Sequence, residues 1–253
     1  MNWAGSDLAA TNLLESSALT CSRLDAYGSL TIVRLAERTV PEPVLEISRR
    51  RAIEDVASEL FRAQGYSATS VRDIARALDL QGPSLYAHVT SKEDVLWAIV
   101  DRAAGAFETA ADGLEAESVI GAAGGDIARP AGRILPDAST ELACLVRAHI
   151  RVITADVGAA AVFVHEWRSL GEDRRRSVLA RRDAYERRFR TLIADGVATG
   201  EFEMTDPAIA ATAILSMLNA VPAWYDPAGR LSVDRIADHF VDLSLRLLQG
   251  AIR

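Results

Sequence analysis

The sequence predicts an all-α fold, with a small three-helix head toward its N-terminal side and a larger helical body behind it. Three observations predict it. Ala, Leu and Arg dominate the 253 residues, while aromatics make up only 6%, a balance that favours helix. Apolar residues recur at helical spacing in segment after segment, and no alternating strand pattern of any length interrupts them. Between Val56 and Val100, two short helical patterns flank Leu78-Asp79-Leu80. The second carries small and polar side chains, a Tyr and a His where a core helix would carry aliphatics. Such a helix packs one side and offers the other to a DNA groove.

Residues 1–46 mix Gly, Ser, Thr and Ala and end in Pro41-Glu42-Pro43, which is expected to block a regular helix. They are read as an irregular N-terminal extension. The head follows over 47–92. Its first helix is expected from a Ser48 cap to Gln64, burying Ile53, Val56, Ala57, Leu60 and Phe61, with Gly65 ending it. Thr69 or Ser70 caps the second, which turns Val71, Ile74, Ala75 and Leu78 inward. The third spans about Gly82 to His88, with Pro83 early, where its missing N–H costs nothing.

The body occupies 93–253. Ser91 starts its first helix, with Asp94 completing a capping-box-like pair, and the helix extends to near Asp112. Residues 117–137 hold a Gly-Gly pair and two prolines and are expected to form a mobile loop near a ligand entrance. Helical patterns then resume. Leu142, Leu145, Val146, His149, Ile150 and Ile153 form one stripe. Ala159 to Ser169 is a short apolar helix, and Arg174 to Ala198 a long one ended by Gly200. Asp206 and Pro207 open a helix running to about Trp224, and Ser232 caps the last, which carries Ile236, Phe240, Leu243, Leu247 and Leu248.

Composition excludes several classes. No apolar run approaches the ~20 residues that span a membrane, and no secretory signal opens the chain. Cys21 and Cys144 have no metal-ligand spacing and are read as free thiols in a reducing cytoplasm. His88, His149, His165 and His239 have no metal-binding spacing, the Gly121–Gly125 stretch lacks the Lys-Ser/Thr of a phosphate loop, and no GxSxG occurs. Neither catalysis, a metal nor a cofactor is expected. A net charge of −7 argues against nonspecific coating of nucleic acid. It leaves room for a small basic face made by Arg49, Arg50, Arg51, Arg72, Arg76 and Lys92, the only lysine in the chain.

Chemistry assigns roles around that face. Gln81 and Ser84 can donate and accept at base edges. Tyr86 and His88 can donate to phosphate oxygens, or serve respectively as a packing residue and a capping N–H. Ser70 and Arg72 can bridge phosphates, Arg72 reaching a guanine, and Lys92 can clamp a phosphate. The run Gly82-Pro83-Ser84-Leu85-Tyr86-Ala87-His88-Val89-Thr90-Ser91-Lys92 resembles the x-P-x-L-Y-x-H-F-x-x-K motif of TetR-type repressors, with Val89 where Phe is commoner. The resemblance covers about Arg49 to Asp101. It implies contacts to double-stranded DNA from Ser70, Arg72, Gln81, Gly82, Pro83, Ser84, Tyr86, His88 and Lys92, and a homodimer on a palindromic operator.

The body offers a lined space between helices. Phe163, Trp167, Phe189, Met217 and Val221 are expected to line it, or to be plain core. The runs Val162–Leu170, Arg182–Arg187, Gly200–Phe202 and Asn219–Gly229 resemble the C-terminal domain of a TetR subgroup. Members of that subgroup often sense acyl-CoA thioesters. Arg174, Arg181 and Arg188 share a face, with Arg175 and Arg182 beside it. That face can hold the phosphates of CoA, with Arg182 in the effector site, or stand in solvent paired with Asp173, Asp183 and Glu186. Trp224, Leu231, Phe240, Leu243 and Leu247 exceed what one bundle layer needs and mark a dimer interface. The sequence therefore reads as a ligand-responsive repressor with an acyl-CoA-type effector. Two alternatives stand beside it: a drug-sensing repressor of an efflux gene, using Glu166 and Asp195, and a helical binding protein or enzyme with a vestigial head.

Overall fold

The computed structural model describes residues 22–24, 30–32, 42–123, 137–203 and 206–249, with side chains from Arg49 onward except at 82–83 and 115–123. The chain divides into two compact units, Met1–Leu45 and Glu46–Arg253. In the first, β1 (Ser22–Leu24) and β2 (Leu30–Ile32) pair antiparallel, with Ser22 opposite Ile32 and Leu24 opposite Leu30. Three-residue strands are too short to display alternation, so no periodic pattern announces them. Helix α1 spans Glu42–Gln64. The helix therefore starts at Glu42 with Pro43 in its first turn instead of being blocked there, because a first-turn proline lacks only an N–H that has no intrahelical partner; Pro41 lies outside the described residues. Ser48 lies inside this helix and does not cap it.

The second unit continues with α2 (Val71–Ala77), α3 (Gly82–Tyr86), α4 (Lys92–Ala123), α5 (Ala138–Ala155), α6 (Val157–His165), α7 (Glu172–Thr199), α8 (Pro207–Asn219) and α9 (Val233–Leu248). One apolar core runs through it, from Ile53, Phe61, Ile74 and Leu85 of the head to Leu142, Ile150, Phe189 and Ile214 of the body. Helix α4 serves both parts. Its Val95, Leu96 and Ile99 are buried near the head, and Ala104, Phe107 and Ala111 in the body. Helix α5 is central, packed on α4, α7 and α9, while α7 carries α8 and α4 carries α6.

Caps set most boundaries. Ser70 accepts from Asp73 N while Asp73 accepts from Ser70 N, a full capping box on α2. At α4 the Ser91 hydroxyl accepts from Asp94 N and donates to Asp94 Oδ2. Asp206 caps α8 and Ser232 caps α9. Gly65 and Gly200 take left-handed φ of 85° and 79° behind α1 and α7, where glycine has no Cβ to clash. Three ends differ from expectation. Helix α4 continues past Asp112 to Ala123; its Ala-rich last turns keep helix propensity, and Gly121 costs only about 1 kcal/mol there. Of the loop expected over 117–137, residues 117–123 are therefore helical, and 124–136 lie outside the described residues. Helix α6 stops at His165 and tightens into a 3-10 turn at Trp167–Ser169. Helix α8 stops at Asn219, and a 3-10 turn at Val221–Ala223 follows, since Pro222 cannot continue the hydrogen-bond ladder. Among the described residues, no helix is long and apolar enough to cross a membrane.

Candidate nucleic-acid interface and effector cavity

The head's geometry starts from the turn between α2 and α3. Asp79 takes φ 53°, a left-handed conformation that Asp tolerates better than branched residues. Leu80 N donates back to Ala75 O at 2.8 Å, closing the turn. Leu85 and Val89 are buried and hold α3 to the core. Gln81, Ser84 and Tyr86 consequently face outward, Tyr86 being 56% exposed. Gly82 and Pro83 form the first turn of α3. Arg72 is exposed on α2, and His88 is half-buried after α3.

Two expected contact residues are engaged within the head itself. The Ser70 hydroxyl donates to Asp73 Oδ2 at 2.6 Å as part of the α2 cap. Lys92 Nζ donates to Tyr66 O at 2.9 Å and Thr69 O at 2.8 Å, and lies 4.0 Å from the centre of the Tyr66 ring. Two of its three N–H groups therefore hold the turn between α1 and α2. Arg49, Arg50 and Arg51 do not precede α1 but lie on it, because the helix begins earlier. Arg50 pairs with Glu54, Arg51 with Asp55 and Asp156, and Arg76 with Asp73.

The body encloses a cavity of about 210 Å³ walled by α4, α5, α6, α7 and α8. That is smaller than the roughly 300–1,000 Å³ of drug-sized sites, so it takes a small ligand or one part of a larger one. Phe163 and Arg182 line it as expected. The other four expected residues do not. Trp167 is buried under Arg182, whose guanidinium lies 5.5 Å from its ring centre. Phe189 is fully buried behind Tyr185, ring centres 5.6 Å apart. Met217 and Val221 pack into the core from another side of the chain. Apolar periodicity picks out what a helix buries, and a cavity wall is not the same face. On α8 the wall consists of Thr212, Leu215, Ser216 and Asn219. A polar stripe at i, i+4, i+7 on an otherwise apolar helix is the signal that could have found it.

The inner end is aromatic. His149 of α5 is only 2% exposed, and its ring packs on Phe107 with centres 4.7 Å apart. His149 Nδ1 lies 3.1 Å from Tyr185 Oη. Burial pushes the imidazole down to about 3, and the Arg182 charge acts in the same direction. Burial also raises the Tyr185 hydroxyl. Arg182 faces this apolar wall as a cation. It donates to the Phe163 carbonyl at 3.3 Å and stands over the Phe163 ring at 5.0 Å. Among the described residues no carboxylate lies within ion-pairing distance of it. Burial and the neighbouring Arg168 charge both push its guanidinium down.

The other arginines of α7 have a different task. Arg174 bonds Asp94 at 2.5 Å and Glu93 at 3.4 Å. Arg181 binds Glu108 through Nε at 2.6 Å and Nη2 at 2.7 Å, and Asp101 at 2.7 Å. Arg188 pairs with Asp112. The seven-residue spacing builds a ladder of ion pairs between α7 and α4, while Arg175 pairs with Glu172 within its own helix and Arg181 also reaches the cavity wall.

Helix α6 also ties the cavity to the head. Its N-cap Asp156 accepts from Arg51 of α1 and Arg102 of α4. Near its start, a Cβ on Gly158 would come within 2.7 Å of Ser58 Oγ. Past its other end, Glu166 Oε1 accepts from Tyr66 N at 3.3 Å. Phe163, between these anchors, lines the cavity.

A helix-turn-helix with an outward polar recognition helix, joined by two helices to a cavity, defines a ligand-linked DNA-binding regulator. Residues 53–99 match the family model for bacterial regulatory proteins of the tetR family, and residues 136–248 match a tetracyclin repressor-like C-terminal domain. The crystal structure of the TetR family transcriptional regulator PfmR from Thermus thermophilus is 30% identical, covering 79% of this chain and 99% of that one, with a TM-score of 0.63. The chain belongs to the TetR family of transcriptional regulators. It is similar to the HTH-type transcriptional repressor KstR2 of Rhodococcus jostii (strain RHA1), 27% identical over 204 residues, which are 78% of this chain and 89% of the relative. It is also similar to AibR, solved in complex with isovaleryl coenzyme A and operator DNA. That structure is 26% identical, covers 80% of this chain and 100% of the other, and has a TM-score of 0.63.

Proposed function

We propose that the protein is a homodimeric repressor that leaves a palindromic operator when an acyl-CoA-type thioester enters the body. Arg182 is the observation that carries this reading. Arg182 is half-buried with no carboxylate ion-paired to it, Asp183 and Glu186 acting on it only from further away, and the neighbouring Arg168 charge adds to the imbalance. An anionic ligand group relieves both. The small cavity suits the acyl part, with the larger nucleotide outside it. The alternative of a hydrophobic-cation sensor is less favoured: Glu166 is engaged with the head, Asp195 is not among the cavity-lining residues, and of the two carboxylates that do line the cavity Glu108 is held by Arg181 while Glu186 accepts from Thr212. The isovaleryl coenzyme A and operator DNA held by AibR agree with the same reading.

Contacts with DNA fall to Gln81, Ser84 and Tyr86 of α3 and to Arg72 of α2, with Ser70 and Lys92 fixing the turn beneath them. The ligand acts through α6 and the α4–α7 ladder, both of which touch the cavity and the head. It does so only by favouring the released state; a ~100-fold preference corresponds to about 2.7 kcal/mol. The test is a titration of the dimer onto DNA from upstream of its own gene, with and without a series of acyl-CoA thioesters. Sequence-specific, salt-dependent binding that one thioester abolishes is the expected result. Specific binding undisturbed by every thioester, or release by hydrophobic cations, would overturn it.

A further inference from the structure

We infer that His149 and Tyr185 form a carbonyl-recognition subsite at the inner end of the cavity, so that the effector is a compound with a neutral carbonyl oxygen on its apolar part. The inference rests on the effector reading above for the identity of the cavity, but its own support is separate. His149 Nδ1 and Tyr185 Oη are 3.1 Å apart. Among the described residues His149 Nε2 is buried with no hydrogen-bond partner. Between them the two groups carry two hydrogens and share one hydrogen bond. If Tyr185 donates to Nδ1, the proton on Nε2 is left over. If Nδ1–H donates to Oη, the Tyr185 hydroxyl proton is left over. Either tautomer leaves one donor without a partner in the protein: the buried Nε2–H, or the hydroxyl of Tyr185, which is half-buried on the cavity wall beside Phe107 and Phe163.

An unmatched buried donor is costly, and a ligand acceptor removes that cost. The donor is neutral and its surroundings are apolar, so a carboxylate or phosphate gains more at Arg182. A ketone, thioester or amide oxygen is what remains. The cavity thus sorts its ligand at two points, a neutral acceptor at the His149–Tyr185 pair and an anion at Arg182. Neither Thr212 nor Ser216 on the opposite wall is hydrogen-bonded to the pair: Ser216 bonds Thr212 O and Thr212 bonds Glu186.

The test uses the full-length protein with its histidine rings labelled with nitrogen-15, the His149 signals being assigned by their loss in His149→Phe. The probes are methyl isobutyl ketone and the hydrocarbon in which a methylene replaces its carbonyl group, with isovaleryl-CoA as a separate arm. The ketone should shift the His149 ring signals saturably, and the hydrocarbon should not. His149→Phe should weaken ketone binding roughly three- to tenfold, the value of one ordinary hydrogen bond, and leave hydrocarbon binding within about twofold. Tyr185→Phe, which keeps the packing, should reduce the ketone-induced shift. Equal binding of ketone and hydrocarbon, or a His149 signal that ignores the ketone, overturns the subsite. If the ketone behaves as expected and isovaleryl-CoA and other thioesters do not bind, the subsite stands and the thioester reading falls. If isovaleryl-CoA binds wild type and His149→Phe equally while the ketone is silent, the subsite falls and the thioester reading stands.

Discussion

His149 titrates in a window that can be read directly. Its imidazole is held at about 3 in the fold against 6.5 in the unfolded chain. Between those values the unfolded state binds the extra proton, so stability rises with pH. The contribution is complete above about pH 6.5 and is lost as pH falls toward about 3, at up to about 1.4 kcal/mol per pH unit. Urea unfolding at about pH 7 and about pH 5 should show this slope in wild type and a slope lower by one proton in His149→Phe. Identical slopes would mean that His149 is not buried neutral. Asp94, held at about 2 by bonds from Thr90, Arg174 and Ser91, loses its contribution only between about 4 and 2 and does not confuse the comparison. In the head, Lys92→Ala and Gln81→Ala should separate. Lys92→Ala frees the Tyr66 and Thr69 carbonyls, loosens the turn, and weakens binding to every sequence alike. Gln81→Ala should change which bases are preferred, with a cost of about 1–3 kcal/mol at one position. Competition titrations with altered operators distinguish the two; a sequence-dependent loss in Lys92→Ala would contradict the assignment.

Helices α4 and α6 join the cavity to the head, with α7 braced on α4, and here the sequence was legible in part. Heptad-spaced Arg174, Arg181 and Arg188 are visible on one face of α7, but their partners Asp94, Glu108 and Asp112 lie some eighty residues earlier, where no local pattern reaches. The head, by contrast, was readable almost throughout, because caps, turn glycine and buried stripe are local devices. The cavity was not, because its wall mixes five helices and uses polar positions of α8 that burial arguments discard. Gly158 gives an element-scale test. Ser58 is nearly fully buried beside it, so in Gly158→Ala the added methyl must displace the Glu59 and Ser58 side chains or shift α6 against α1. A loss of about 1–3 kcal/mol in stability is expected, seen as a lower Tm. The effector concentration needed for operator release should also shift, because the anchor of α6 has moved. An unchanged Tm together with an unchanged release curve would remove α6 from the link.

At the scale of the whole molecule, the outer side of α8 and α9 is the surface proposed for assembly. Trp224 is 52% exposed and stacks on Phe240 with ring centres 6.3 Å apart and 8° between planes. Leu243, one turn further along α9, is 49% exposed, and Ile209 on α8 is exposed as well. Leu231 and Leu247 are half-buried against the core, so the expected interface divides into an outer pair, Trp224 and Leu243, and residues that support it. A twofold axis through such a surface lets each copy cover the other's apolar side chains with the same residues. It would also set two α3 helices about one DNA turn, roughly 34–36 Å, apart. Leu243→Glu places a charge where the partner's apolar side chains would lie and leaves the monomer's own core untouched. Sedimentation should then give the 27.3 kDa single chain, against about twice that for wild type. The variant should bind a full palindrome no better than a half-site, while each head keeps its sequence preference. A dimer that survives Leu243→Glu, with full operator affinity, would move the twofold axis to another face.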